Sequence, residues 1–138
     1  RANGEVISSV DRYRIYNACG KFNLNESADL VRRSKFVISH DTGLMHIATA
    51  LKKQVISVWG NTVPAFGMYP YYGNTFTESF AASQTKQPFE IAEVKGLYCR
   101  PCSKIGYQKC PLGHFKCMNN IDLERVTALV NERLNRKG

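Results

Sequence analysis

No stretch of about 18 apolar residues occurs in the chain, so no segment is expected to cross a membrane as a helix. Low-complexity tracts and internal repeats are also missing, which leaves an ordinary globular reading. Acidic residues are in deficit, 11 against 19 basic ones, for a net charge of +8. That balance favours anionic partners: nucleic acid, phosphorylated sugars or an anionic membrane face. Yet no Lys/Arg run is interleaved with aromatics, and the basic residues are dispersed apart from a mild cluster at Arg133, Arg136 and Lys137. A solvated basic surface is therefore favoured over a nucleic-acid groove. The opening residues Arg1-Ala2-Asn3-Gly4-Glu5 carry neither a starting Met nor a signal-peptide pattern, and are expected to be a cut inside a longer protein.

What is present is a chain of 138 residues, 43% hydrophobic and 22% charged, a normal size for one domain with a real core. Arg14-Ile15-Tyr16-Asn17-Ala18-Cys19 reads as a short strand ending at Gly20-Lys21, with Cys19 a small buried hydrophobe. This strand is expected inside the sheet, so cutting the chain before Asn23 is expected to unfold it or make it aggregate. Asn23 and Glu26 have the spacing of a capping box. The helix that follows places Leu24, Ala28, Leu30 and Val31 near one face and ends around Arg33-Ser34. Phe36 to Ser39 reads as a buried strand, Thr42 to Leu51 as a helix with Lys52-Lys53 favouring its C-terminal dipole, and Val55 to Trp59 as the next strand. Residues 60–98 are rich in Gly, Pro, Tyr, Thr and Ser, with a short strand expected at Phe89 to Ala92. Asp122 caps a closing helix whose Val126, Leu129, Val130 and Arg133-Leu134 recur at helical spacing. Alternating strands and helices predict an α/β fold, a parallel sheet covered on both faces. Right-handed crossovers put the strand-to-helix turns of such a sheet on one edge, where ligands bind.

The segment Ser39-His40-Asp41-Thr42-Gly43-Leu44-Met45-His46 is a strand, a sharp polar turn and a helix start. Gly43 allows a ligand close to the backbone, and the helix that begins there points unpaired N–H groups at whatever lies over the turn. An anion, most often a phosphate, is the natural occupant. Asp41, Thr42 and His46 add polar side chains at that end. The competing reading is that Asp41 or Thr42 merely caps the helix and His46 is an ordinary helical residue.

Four of the five cysteines fall at 99–117. Cys99-x2-Cys102 is a metal knuckle, and Cys110-x6-Cys117 is wider than a standard one, with His114 between them as a spare ligand. A structural Zn site of four thiolates, or of three with one imidazole, is chemically reasonable and would staple a segment with little core. Free thiols and two disulfides are the rivals; disulfides are the weaker option in a cytosolic protein. No pattern of three ligands with a nearby base suggests a catalytic Zn.

Three stretches together resemble the second half of family 9 glycosyltransferases, the ADP-heptose:lipopolysaccharide heptosyltransferases and their relatives. They are Asn17 to Leu24, Phe36 to Ala48 with its Asp41-Thr42-Gly43-x-x-His46 core, and Val55 to Pro64. The block from Cys99 to Met118, followed by Ile121 and Val126, resembles the cysteine-rich tail of many members. The resemblance implies a GT-B fold of two Rossmann-like domains, with residues 1–138 forming the C-terminal, donor-binding one. It implies a nucleotide-diphosphate sugar as donor, ADP-heptose-like, and a lipopolysaccharide-type glycolipid as acceptor. The acceptor site and the catalytic carboxylate are expected in the N-terminal domain, a partner these residues do not supply. No metal or other cofactor is implied for transfer. The implied place is the cytoplasm, at the inner face of the inner membrane, with peripheral contact to anionic lipid.

By the same resemblance Asp41, Thr42 and Gly43 meet the donor diphosphate and adjoining sugar, His46 donates to a phosphate oxygen, and Gly20, Lys21 and Phe22 flank the base and ribose. Gly60, Thr62 and Pro64 fit a Gly-x-Thr-Asp/Glu-Pro-like element, while Asn61 and Val63 depart from it. Thr62 joins the donor-binding set; Lys21 is equally readable as a surface lysine. A zinc-stapled basic module that binds nucleic acid is the alternative, resting on charge and cysteines, but such a module has no need of the chemistry at Asp41 to His46.

Overall fold

A computed structural model describes residues 2–73 and 88–135. Arg136 and Lys137 of the basic cluster, and the part of the Gly/Thr/Ser-rich stretch at 74–87, lie outside the described residues. The elements are α1 (Ala2–Ser9), α2 (Leu24–Arg33), β1 (Phe36–His40), α3 (Gly43–Ala50), β2 (Gln54–Trp59), a 3-10 turn (Pro64–Phe66), β3 (Phe89–Glu93), α4 (Lys116–Asn119) and α5 (Leu123–Asn135). The three strands form a parallel sheet in the order β1-β2-β3. Val37 stands opposite Val55 and Ile38 opposite Ile56, while Val55 stands opposite Phe89 and Ser57 opposite Ile91. This is the expected α/β, Rossmann-like arrangement.

Period-2 alternation divides β2 between two layers. Val55 and Trp59 point to one face, where they meet Met45 and Ala48 of α3; Val31, Val37, Met68, Phe89 and Ile91 pack around them. Met45, Ala48, Val55 and Trp59 are fully buried, and each large side chain contributes roughly 1.5–3 kcal/mol. Ser57 is buried among them without being orphaned. Trp59 Nε1 donates to its Oγ at 3.0 Å, and that hydroxyl donates to Glu90 O at 3.2 Å. On the opposite face Arg133 of α5 reaches Gln54 Oε1 at 2.9 Å and Glu90 Oε1 at 3.7 Å. Helices therefore cover both faces.

The local signals for α2 and α5 are realised. Asn23 Oδ1 accepts the Glu26 N–H at 3.0 Å and Glu26 Oε2 accepts the Asn23 N–H at 2.8 Å, closing the capping box. Asp122 Oδ1 accepts the Arg125 N–H at 2.8 Å at the start of α5. The expected apolar stripes need correction. Leu24 and Leu30 are exposed, and only the Ala28 and Val31 side of α2 turns inward. On α5 Leu134 is exposed while Arg133 is 2% exposed, so the deepest position is a cation paired across the sheet rather than a surface charge. Strand β1 is an edge of the described sheet, with Ile38 51% exposed, so its apolar run is not buried on both faces. Lys52 and Lys53 serve other segments than the α3 dipole: Lys52 Nζ donates to Tyr72 O, and Lys53 Nζ to Ser34 O at 2.9 Å.

The expected strand at 14–19 does not form. Asp11 Oδ1 accepts the N–H groups of Tyr13 and Arg14 at 3.0 and 3.1 Å, and Asp11 O accepts that of Ile15 at 2.9 Å. Asn17 Oδ1 accepts the Cys19 N–H at 3.1 Å, and Ala18 O that of Lys21. Local turns thus occupy the donors a sheet would need. Tyr16 and Cys19 are exposed, the latter against the expectation of a buried thiol. Ahead of this segment α1, which sequence periodicity did not reveal, buries no residue.

Candidate functional site

Parallel strands deliver the ends of β1 and β2 to the same edge of the sheet. Beyond His40, Asp41 and Thr42 turn the chain into α3; beyond Trp59, Gly60, Asn61 and Thr62 turn it away. A cleft of about 310 Å³ opens between these turns, lined there by His40, Asp41, Asn61 and Thr62. Its far wall is Ile105, Tyr107, Gln108, Phe115 and Met118 from the cysteine-rich segment.

The two turns are tied together. Thr62 Oγ1 donates to Asp41 Oδ2 at 3.3 Å, and the Oγ atoms of Ser39 and Thr42 lie 3.0 Å apart. Among the described residues neither Thr42 nor any other side chain caps the start of α3. Thr42 O accepts from Met45 N and His46 N, which leaves the Gly43 and Leu44 amides with no protein acceptor among the described residues. Two exposed N–H groups at the positive end of a helix dipole attract an anion. Gly43 strengthens this. A Cβ placed there meets nothing within 4 Å and no left-handed φ is required, so neither packing nor backbone explains the glycine. Gly20 is the opposite case: its φ of 72° is a turn requirement that accounts for the residue by itself.

The far wall is fastened by Arg100, whose side chain is 6% exposed. Its guanidinium donates to Gly60 O at 2.7 Å, Thr62 O at 2.9 Å and Val94 O at 3.1 Å, and pairs with Glu93 at 2.7 Å. Asn61 donates from Nδ2 to Tyr107 O at 2.7 Å, and Asn61 O accepts the Cys102 N–H at 2.9 Å. One cation and one amide thus join the end of β3, the turn after β2 and the cysteine-rich segment.

The predicted site residues divide. Asp41 and Thr62 meet in the cleft; Thr42, Gly43 and an exposed His46 cluster at the start of α3 beside it. Gly20, Lys21 and Phe22 do not line this cleft. The Lys21 Nζ sits 4.4 Å from the centre of the Tyr16 ring, in another depression of about 300 Å³ lined also by Glu5, Arg12 and Asn17. Sequence reasoning missed His40, Arg100, Tyr107 and Gln108. Position alone, immediately before Asp41, marks His40; the others carry no periodicity that signals a wall.

No disulfide joins any of the five cysteines. Burial, then the neighbouring Cys117, Cys99 and Cys110, push the Cys102 thiol up. Backbone amides of Phe115, Leu112, His114 and Gly113 hold the Cys110 thiol below its ordinary value, against a desolvation that opposes them. Among the described residues no three His, Cys, Asp or Glu side chains are already gathered as a metal-ligand set. No helix among them is long and apolar enough to cross a membrane.

The family model of glycosyltransferase family 9 (heptosyltransferase) matches residues 3–98. Lipooligosaccharide heptosyltransferase 2 of Haemophilus influenzae is 44% identical over 50 residues, 36% of this chain and 14% of that protein. The protein of that name from Campylobacter jejuni serotype O:6 is 26% identical over 124 residues, 87% of this chain and 32% of that protein. Lipopolysaccharide heptosyltransferase 2 of Escherichia coli K12 is 32% identical over 68 residues, 47% of this chain and 20% of that protein. No solved structure matches the chain. The chain spans a third or less of the curated relatives it matches. With the family model covering most of its residues on a parallel α/β sheet, the chain belongs to glycosyltransferase family 9.

Proposed function

We propose that these residues form the donor-binding domain of a heptosyltransferase-like enzyme, which moves a sugar from a nucleotide diphosphate to a lipopolysaccharide-type acceptor at the inner face of the inner membrane. The observation that carries this reading is the uncapped start of α3, with its free Gly43 and Leu44 amides, at the mouth of the Asp41–Thr62 cleft. The diphosphate lies over those amides, with Thr42 and His46 donating to its oxygens. Transferring a sugar releases a diphosphate, and fixed N–H dipoles stabilise the charge that develops on it without reorganising. Asp41 repels phosphate and belongs with the sugar hydroxyls, oriented by Thr62. Gly20, Lys21 and Phe22 stay with the base only if the nucleotide extends beyond the cleft toward Tyr16.

Calorimetry of this chain with ADP tests the reading. Binding on the order of 0.1–1 mM is expected, about 4–5.5 kcal/mol, because half a two-domain cleft supplies half the contacts. Backbone NMR shifts should centre on residues 41–46. The same titration with duplex DNA separates the competing basic-module reading, since phosphate-backbone binding falls steeply with salt. Binding that is strong for DNA and missing for ADP overturns the proposal.

A further inference from the structure

The segment 99–117 holds four cysteines, no strand, and only the first residues of the four-residue α4. Its order must come from somewhere other than backbone ladders. Cys117 is 6% exposed, and Cys99, Cys102 and Cys110 are half-buried. Cys99, Cys102 and Cys110 line one depression of about 340 Å³, walled also by Tyr98, Pro101, Tyr107, Pro111 and Leu112. Cys102 Sγ donates to Cys99 O at 3.3 Å, which folds the first pair of cysteines back on itself.

His114 settles its own role by its tautomer. Its Nδ1 accepts the Lys116 N–H at 3.1 Å, so the proton of the neutral ring is on Nε2, and Nε2 lies 3.8 Å from Cys99 Sγ. That nitrogen faces sulfur as a donor, which disqualifies it as a metal ligand in this arrangement.

We propose that Cys99, Cys102, Cys110 and Cys117 bind one zinc ion as four thiolates, with His114 Nε2–H donating to the Cys99 sulfur. Four S–H bonds give up their protons and four Zn–S bonds form, leaving a site of charge −2 that the His114 N–H offsets in part. In the metal-free arrangement no three of these side chains among the described residues are placed to hold a metal ion, so the cysteines must move together to bind one. The ion draws them to about 2.3 Å as it displaces their protons, coupling binding to ordering. That ordering reaches the cleft, because Cys102 N–H is bonded to Asn61 O, and Tyr107, Gln108 and Phe115 are wall residues on the same segment. The zinc assignment stands independently of the donor reading; only its consequence for the cleft rests on it.

The test uses the whole chain, purified without chelator, with elemental analysis and Co²⁺ substitution. About one zinc per chain is expected, and cobalt should show the charge-transfer and d–d bands of a tetrahedral tetrathiolate site. Cys110→Ser should lose the metal, and His114→Ala should keep it with the cobalt spectrum still that of four sulfurs. If Cys110→Ser does not fold, the wild-type stoichiometry and spectrum decide alone. Hydrogen exchange at 105–108 should quicken when a chelator strips the zinc, whether or not ADP binds. Freely reactive thiols that take up no added Zn²⁺, a mass showing two disulfides, or a cobalt spectrum of three sulfurs and one nitrogen would each overturn the proposal.

Discussion

Thr62 Oγ1 donates to Asp41 Oδ2 across 3.3 Å, joining two turns 21 residues apart in sequence at the edge of the sheet. Thr62 is 7% exposed, so its end of the bond is shielded from water. Thr62→Val keeps the volume and removes the donor. It should cost about 1 kcal/mol of stability and weaken ADP binding, because the carboxylate is then unheld at the cleft mouth. Thermal melts and ADP calorimetry on the variant check both; an unchanged affinity would separate Asp41 from the donor site.

Gly43→Ala separates binding from folding. Its Cβ meets no atom of the chain and alanine favours a helix over glycine, so stability should hold or rise by up to about 1 kcal/mol. ADP affinity should fall about fivefold or more, close to 1 kcal/mol, if a phosphate packs against that backbone. A variant that binds ADP as well as the parent contradicts the position given to the diphosphate.

Arg100→Met leaves the half-buried Glu93 carboxylate without its cation and frees the carbonyls of Gly60, Thr62 and Val94. A loss of about 3–5 kcal/mol is expected in denaturant unfolding. Adding Glu93→Leu removes the orphaned charge and should recover part of it. No recovery in the double variant means that the carbonyl contacts, not the ion pair, dominate.

The Tyr72 hydroxyl donates to Lys53 O at 2.6 Å, with Pro88 O at 3.3 Å. Burial pushes its pKa far up, opposed weakly by the charge of Arg133. The folded chain therefore keeps a proton that the unfolded chain sheds above about pH 10. The resulting stability is complete below that pH and drains away as pH rises above it. Tyr72→Phe should lose about 1 kcal/mol at neutral pH and show a shallower decline between pH 9 and 11. An identical alkaline slope in both proteins would place the sensitivity in another group.

A chain beginning at Asn23 should still fold, contrary to what the sequence suggests for a strand at 14–19. Helix α1 buries nothing, residues 14–19 pair with no described strand, and Asn23 keeps the α2 cap. A cooperative melt a few degrees below the parent is expected. Aggregation of the truncated chain would show that residues 1–22 cover the exposed edge at β1.

Local chemistry was legible from the sequence wherever the controlling atoms are near neighbours in the chain. The Asn23–Glu26 capping box, the Asp122 cap, the strand-turn-helix at Ser39 to His46 and the parallel β-α-β order all follow from spacings of a few residues. The Asp-Thr-Gly-x-x-His core carried the resemblance to the family, and its helix start is a local anion site. The tertiary structure decided what depends on distant partners. Arg14 to Cys19 has strand-like residues, but Asp11 and Asn17 satisfy its amides first, and no propensity scale weighs that competition. Arg133 reads as a surface cation until Gln54 and Glu90, 79 and 43 positions earlier, draw it under the sheet. Arg100 and the wall at Tyr107 are invisible along the chain, since most of their partners are carbonyls, which every residue carries and no sequence pattern marks.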